Sequence, residues 1–307
     1  MNNKLLILGG SGYIGSNLAL TLANTNAVTI TGRKQISTEL WTKFKHARIK
    51  FENASLSDIK FVKYLIEQND QIILAAPNTQ PNRKNKLFHS DVMSIVRPSK
   101  EIIRYTNSKN KRIIFLSSGG SVYGENVLNK NHESDRTNPN TKYGRLKVSI
   151  ENEALKYNME NNSKNIILRI SNPYGWIENN FSNSGFINSI VRSFYGRKPF
   201  VIWGNGEQTR DFIHMRDISN LFKLIIKDNS IGGIFNVGTG VGYSLLEIHQ
   251  IIESIFMTPI PLEFNLKYRE KISKNILDIE KVKKVFNWEP IYNVNQGLLS
   301  LIESLRN

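Results

Sequence analysis

Cysteine is absent from this chain of 307 residues. Disulfides, thiolate metal sites and a cysteine nucleophile are thereby excluded, and the composition suits a reducing compartment. Long apolar runs are missing as well. Nowhere do about 18 apolar residues follow one another, so no membrane-spanning helix is encoded. The opening segment offers only Leu5 to Leu8 before Gly9, shorter than the core of a signal peptide, and the cytoplasm is the expected location. Acidic residues are few. Against 41 Lys and Arg stand 26 Asp and Glu, a formal charge of +15, which invites anionic partners such as phosphorylated ligands or nucleic acid. The basic residues are dispersed, however (Lys43, Lys45, Lys84, Lys86, Lys109, Lys111, Lys283, Lys284), and no aromatic and basic stripe resembles an RNA-binding signature. The charge therefore reads as solvated faces, and nucleic acid is not an expected partner.

What is present is alternation. Short apolar runs at Lys4 to Leu8, Ala27 to Thr31, Arg48 to Phe51, Gln71 to Ala75, Arg112 to Ser117 and Asn165 to Ile170 predict strands. Between them, Tyr13 to Asn24, Asp58 to Gln68, Val92 to Asn107 and Lys142 to Met159 carry apolar residues at helical spacing, with Ser57 and Asp58 as a helix start. Strand and helix repeated in this way build a parallel sheet with helices on both faces. After Ile170 the rhythm breaks into isolated strands (Phe200 to Trp203, Ile234 to Val237) and separate helices (Asp217 to Lys227, Ser244 to Phe256, Asn295 to Leu305). The expected organisation is an α/β chain: a Rossmann-type doubly wound domain over residues 1–171, then a smaller C-terminal α/β substrate lobe over 172–307. The chain is expected to cross back to the first domain within that second span.

Gly9-Gly10-Ser11-Gly12-Tyr13-Ile14-Gly15 follows the first strand and opens a helix, the context that a dinucleotide-binding fingerprint requires. Gly9 permits the tight turn, Gly12 lets backbone N–H groups approach a pyrophosphate at the positive helix end, and Gly15 allows the helix to pack closely on the sheet. The second strand ends in Thr31-Gly32-Arg33-Lys34, where NAD binders usually place an acid for the adenosine ribose. Here Arg33 and Lys34 offer charge-assisted contacts to a 2′-phosphate, so NADP(H) is the better-matched cofactor and NAD(H) the alternative. Tyr143 and Lys147 stand one helical turn apart on one face. An ammonium there is expected to lower the phenol pKa, letting Tyr143 pass a proton to or from a sugar oxygen.

Ser117-Ser118-Gly119-Gly120-Ser121-Val122-Tyr123-Gly124 lies upstream of that pair. With it, the chain resembles the extended short-chain dehydrogenase/reductases, in particular the nucleotide-sugar 4-epimerases, dehydratases and 4-keto reductases. Matching segments run along nearly the whole chain: Leu74-Ala75-Ala76, Arg169 to Gly175 around Asn172-Pro173, Trp203-Gly204-Asn205-Gly206, Arg210-Asp211-Phe212-Ile213-His214, Asn236-Val237-Gly238 and Asn287-Trp288-Glu289-Pro290. The resemblance implies Tyr143 as acid/base and Lys147 as its partner. It implies cofactor contacts from Gly9, Ser11, Gly12, Tyr13, Ile14, Gly15, Arg33, Lys34, Leu56, Ala75, Tyr143 and Lys147. Substrate contacts are implied from Ser118, Ser121, Tyr143, Asn172 and Arg210, the last two on the pyrophosphate of a nucleotide-diphosphate sugar, and so is a homodimer. The alternative readings are a turn residue before Pro173 for Asn172 and a partner of Asp211 for Arg210. The family's late arginine falls on Tyr268 in an ungapped match, with Arg269 one position off.

Departures narrow the reaction. The family's catalytic Ser or Thr position holds Gly119, so the hydroxyl falls to Ser118, with Ser121 in reserve; either could instead satisfy backbone groups at the strand end. Ser55 replaces an Asp that often contacts adenine. Gly120 and Ser121 occupy the places of the acid and base of a 4,6-dehydratase, and the missing cysteine disfavours combined epimerase-reductases resembling GDP-fucose synthase. An epimerase returns its hydride and profits from a tightly held NAD, whereas a reductase must exchange cofactor at every turnover. The expected activity is therefore reduction of a dTDP- or GDP-linked 4-keto-6-deoxy sugar, yielding a deoxysugar donor for surface polysaccharide such as lipopolysaccharide O-antigen. The alternatives are a UDP-glucose 4-epimerase-like enzyme and a non-catalytic dinucleotide sensor. His46, His89, His132, His214 and His249 lack metal-ligand spacing, and no metal is expected. Trp176, Phe181, Phe186 and Tyr195 read mainly as core of the second lobe.

Overall fold

Leu, Ile and Val fill the interior of the first sheet because its strands are covered on both faces, which favours continuous apolar runs over alternation. In the computed structural model, residues 3–33, 36–75, 88–125, 130–175, 185–267 and 273–306 are described. The strands are β1 (Lys4–Leu8), β2 (Ala27–Gly32), β3 (Lys50–Asn53), β4 (Gln71–Leu74), β5 (Ile113–Ser118), β6 (Ile166–Ile170) and β7 (Asn172–Tyr174). They continue with β8 (Phe200–Trp203), β9 (Thr209–His214), β10 (Gly233–Val237), β11 (Gly242–Ser244), β12 (Leu262–Asn265) and β13 (Lys274–Asn275). Two compact units form: one from residues 1–118, 141–169 and 219–235, the other from 119–140, 170–218 and 236–307. The chain passes from one unit to the other at several points, among them between Arg169 and Ile170.

The seven-stranded sheet runs β10-β6-β5-β4-β1-β2-β3, parallel, and the α/β expectation holds. The direction of winding reverses at β1, whose neighbours are β2 and β4, and in open α/β sheets ligands bind outside the carboxyl ends of the strands at such a reversal. Leu5 to Leu8 and Ile72 to Leu74 have no exposed surface. Leu6, Leu8, Ile72, Leu74, Ile113 and Phe115 pack with Leu146, Ile150 and Ala154, which line one stripe of the helix Lys142–Asn161. That helix has defined ends. Thr141 accepts a hydrogen bond from the Gly144 N–H at 3.0 Å, and Asn162 stops it in the left-handed conformation with φ 50°.

Three differences from the sequence reading have local causes. Arg48, expected to open a strand, has φ 56° and forms the turn that ends the helix Thr38–His46, so β3 starts at Lys50. That helix went unread because only Leu40 and Phe44 of its nine residues are buried. The helix expected from Val92 opens with a widened π turn, Val92–Val96, before Arg97–Ser108; Pro98 cannot donate to the carbonyl a normal turn earlier, and the wider turn accommodates it.

In the second unit a mixed sheet centres on β9, with β11 antiparallel and β13 and β7 parallel to it, while β8 and β12 form a parallel pair. Its core includes Tyr174, Ile187, Ile190, Phe212, Ile248, Ile252 and Leu298. Phe186 joins that core's margin, whereas Tyr195 is largely exposed, and Trp176 and Phe181 lie outside the described residues. Among the described residues no helix is long and apolar enough to cross a membrane.

Arg112, at the start of β5, is 7% exposed and donates to Gln71, to the Asp228 carbonyl at 2.7 Å and to the carbonyls of Ile225 and Ile231. It caps the helix Met215–Ile225 onto the sheet. Arg112→Met strands these buried carbonyls, and we expect a loss of about 2–3 kcal/mol in urea unfolding; an unchanged midpoint would remove the capping role.

Candidate active site

Parallel strands deliver their following loops to one edge of the sheet. In the first unit that edge carries the glycine turn after β1, Gly32 and Arg33 at the end of β2, Ala75 after β4 and Ser118 at the end of β5. Gly9 has φ 88°, in the left-handed region that a side chain disfavours. A Cβ on Gly15 would stand 2.5 Å from the Gly9 carbonyl oxygen and 2.7 Å from the Gly10 Cα. The close approach expected at Gly15 is thus made to the turn itself rather than to a strand. Gly10, which the fingerprint reading passed over, is the glycine that packs on the sheet, against Ile30 of β2. Ser16 locks the turn by donating to the Gly12 carbonyl at 2.6 Å.

The helix Tyr13–Leu22 that follows has no acidic residue in its first turn and no side-chain cap on its Gly12 end. Its positive end is open to an anion, so this cradle fits the pyrophosphate of a dinucleotide. Gly32 touches the Ser11 side chain so closely that a Cβ there would collide with it. Arg33 is exposed, and Lys34 lies outside the described residues. Leu56 and Ala75 are half-buried, Leu56 against the first unit's core, and the Ala75 N–H donates to the Leu8 carbonyl at 3.0 Å. Ser55, at the position where the resemblance places an adenine-binding Asp, accepts the Ser57 N–H at 3.3 Å.

Tyr143 and Lys147 share one face of their helix and meet the end of β5. Tyr143 is hydrogen-bonded to Ser118. Lys147 is 3% exposed, donates to the Leu116 carbonyl at 2.7 Å, and sits 5.0 Å from the Phe115 ring centre and 5.5 Å from that of Tyr143. The expected depression of the phenol pKa by Lys147 is not what the protein on its own displays. Burial pushes the Tyr143 hydroxyl up to about 12, outweighing the lowering from the Ser118 hydrogen bond. Burial likewise pulls Lys147 down to about 7, against the raising influence of the Glu151 carboxylate. An ammonium that is itself dehydrated loses part of its charge near neutrality, and with it the leverage on the phenol. Spacing alone could not reveal this, because the burial comes with packing against β5, where Lys147 meets the Leu116 carbonyl and the Phe115 ring.

In the second unit, Gly119 and Val122 bound a short helical turn directly after β5, and the half-buried Gly120 and Ser121 lie within it. The Gly119 carbonyl accepts the Asn275 side chain at 3.2 Å, and Gly120 faces Asn172. Asn172 is half-buried on β7 and donates to the Asp211 carbonyl at 2.8 Å, which ties it to β9. Neighbours along a strand point to opposite faces, so Arg210 and Asp211 diverge. Arg210 is half-buried and donates to the Thr209 carbonyl at 2.9 Å. Asp211 is fully buried and accepts from the Thr239 N–H and hydroxyl at 2.9 Å each and from the Gly240 N–H at 3.1 Å. Its carboxylate therefore organises the loop after β10, a role the motif did not announce. Tyr268 and Arg269 lie outside the described residues. Among the described residues no cluster of three or more His, Asp or Glu could hold a metal ion.

Comparison with known proteins bears on the family and the fold. A model of the NAD dependent epimerase/dehydratase family matches residues 5–238. The chain is 28% identical over 312 residues to the dTDP-4-dehydro-6-deoxyglucose reductase of Escherichia coli, covering 99% of this chain and 98% of that one. It is 24% identical over 313 residues to a UDP-glucose 4-epimerase of Mycolicibacterium smegmatis, covering 99% of each. The solved structure of UDP-glucose 4-epimerase with UDP-glucose from Thermotoga maritima matches the fold with a TM-score of 0.88 at 22% identity, over 99% of this chain and 98% of that one.

Because the folded pKa of Lys147 lies below its unfolded value of 10.5, the unfolded chain holds the extra proton between about pH 7 and that value. Lys147 thus costs stability near neutrality, and the cost fades as pH rises. The stability gained by Lys147→Met is expected to shrink steadily from about pH 7 to about pH 10 in denaturant titrations; a gain flat across that window would mean the ammonium is not dehydrated.

Proposed function

The chain belongs to the NAD dependent epimerase/dehydratase family, and from that premise we propose that it reduces the 4-keto group of a dTDP- or GDP-linked 4-keto-6-deoxy sugar, with NADPH as reductant. The observation that carries the choice of reaction is the end of β2, where Gly32 and an exposed Arg33 stand in place of the ribose-binding acid. A site that takes a 2′-phosphate and lacks the ribose acid favours a cofactor that comes and goes.

When bound, the reduced nicotinamide supplies hydride to the sugar carbon. Tyr143 delivers its hydroxyl proton to the C4 oxygen as the carbonyl becomes an alcohol, and Ser118, already hydrogen-bonded to that phenol, holds the oxygen in line. Lys147, fixed on the Leu116 carbonyl, stabilises the phenolate that remains until solvent returns the proton. Gly9, Ser11, Gly12, Tyr13, Ile14 and Gly15 take the cofactor pyrophosphate, Arg33 and Lys34 its 2′-phosphate, and Leu56 and Ala75 its apolar wall. Ser121, Asn172 and Arg210 recognise the nucleotide sugar, Arg210 through charge. Gly120 and Ser121 supply neither acid nor base for dehydration, which leaves reduction or epimerisation. The relatedness to UDP-glucose 4-epimerase supports the second reading, with bound NAD and no net oxidation.

With a dTDP- or GDP-4-keto-6-deoxy sugar, the purified protein is expected to consume NADPH in a one-to-one ratio with product. Tyr143→Phe should lower kcat by about 100- to 10,000-fold. Arg33→Ser should raise KM for NADPH at least about tenfold, a loss of ~1.4 kcal/mol, and leave NADH unaffected. Interconversion of UDP-glucose and UDP-galactose without added cofactor would instead establish the epimerase.

A further inference from the structure

Three consecutive residues of β5 meet three residues of one helix face. The Leu116 carbonyl accepts the Lys147 ammonium at 2.7 Å, the Ser117 hydroxyl donates to Glu151, and Ser118 is hydrogen-bonded to Tyr143. Residues 143, 147 and 151 succeed one another at spacings of four, so they stack along the helix Lys142–Asn161. Two of these rungs are accounted for by proton transfer. The third, between Ser117 and Glu151, is not.

Glu151 is 1% exposed and grips Arg169 of β6, 3% exposed, through Nη2 to Oε2 at 2.7 Å and Nε to Oε2 at 3.2 Å. β5 and β6 are neighbours in the sheet, so one carboxylate ties the helix to two strands, one turn beyond Lys147. Dehydrating such a pair is expensive, and apolar residues of similar size would dock the helix at least as firmly. Leu146, Ile150 and Ala154 already do so. An apolar stripe, however, tolerates a small slide or roll of the helix, whereas a carboxylate held by a planar fork and a hydroxyl fixes the register.

We propose that Glu151 is a positioning residue for the acid/base pair: clamped by Ser117 and Arg169, it fixes the register of the helix on β5 and holds a negative charge one turn from the Lys147 ammonium. The role rests on the reading of Tyr143 and Lys147 as the proton-transfer pair. The groups facing Lys147 are Tyr143 and Glu151 on its own helix, the Leu116 carbonyl and Phe115 ring on β5, and Arg169 on β6 behind Glu151. The adjoining helix Arg97–Ser108 contributes Arg97, Lys100, Glu101 and Arg104, of which Glu101 pairs with Lys63 and Arg104 with Glu153. The π turn Val92–Val96 carries no charge.

Glu151→Gln keeps the shape and an acceptor for Ser117 but removes the charge. In the full chain without cofactor, the NMR titration of the Lys147 ε-carbon is expected to move to lower pH. With the keto-sugar substrate, kcat should fall about tenfold while KM stays within about twofold. Ser117→Ala strands no charge and serves if the first variant does not fold; its kcat should fall about threefold with KM unchanged. A Glu151→Gln protein with an unmoved Lys147 titration and unaltered kcat overturns the proposal, as does a fully active Ser117→Ala protein. If the unmodified protein reduces no keto sugar, the functional reading fails, and the Lys147 titration alone still decides this one.

Discussion

A lysine ammonium pressed against a strand carbonyl, under an aromatic ring and away from water, is the interaction around which the first unit is organised. Lys147 holds that position only while its helix sits in one register on β5, and the register has several guarantors. Thr141 and Asn162 fix where the helix begins and ends, Leu146, Ile150 and Ala154 anchor its apolar stripe, and Glu151 locks it to Ser117 and Arg169. The energetic cost of burying Lys147 and Glu151 on the helix and Arg169 on β6 is offset by apolar packing elsewhere in the same helix and sheet.

The second unit uses the same device with different residues. Asp211 and Asp217 are buried carboxylates that gather backbone N–H groups: Asp211 from residues 239, 240 and 277, and Asp217 from Ile291 and Tyr292. Burial pushes both carboxyls up while the N–H groups pull them down, so the loops they organise are held by charge-assisted bonds. The Trp288 indole donates to the Asp217 carbonyl at 3.2 Å, which explains an Asn-Trp-Glu-Pro segment with no direct chemical task. Asn172, fastened to β9 through the Asp211 carbonyl, draws its position from this framework.

Much of this was legible in the residues, and what was not has identifiable causes. Runs such as Lys4 to Leu8 and Gln71 to Ala75 declare their strands because burial on both faces of a parallel sheet demands apolar side chains at adjacent positions. The glycine turn is legible because its constraint is local: Gly9 has a left-handed φ, and a Cβ on Gly15 would meet the backbone of the turn itself. The helix Thr38–His46 escaped because two buried residues make a weak period. The protonation behaviour of Tyr143 and Lys147 escaped because it depends on Phe115 and Leu116, distant in sequence and adjacent only after folding. Glu151 carried a signal that could have been read, standing four residues past Lys147 and eight past Tyr143 on the same face; its partners, on two different strands, could not.

Isotope transfer tests the central claim most directly. With NADPH carrying deuterium at the transferable position and a dTDP-linked 4-keto-6-deoxy sugar, the account predicts one deuterium on carbon 4 of the product for each NADP⁺ released. Product formed without deuterium at that carbon, or formed while no NADPH is consumed, would contradict it.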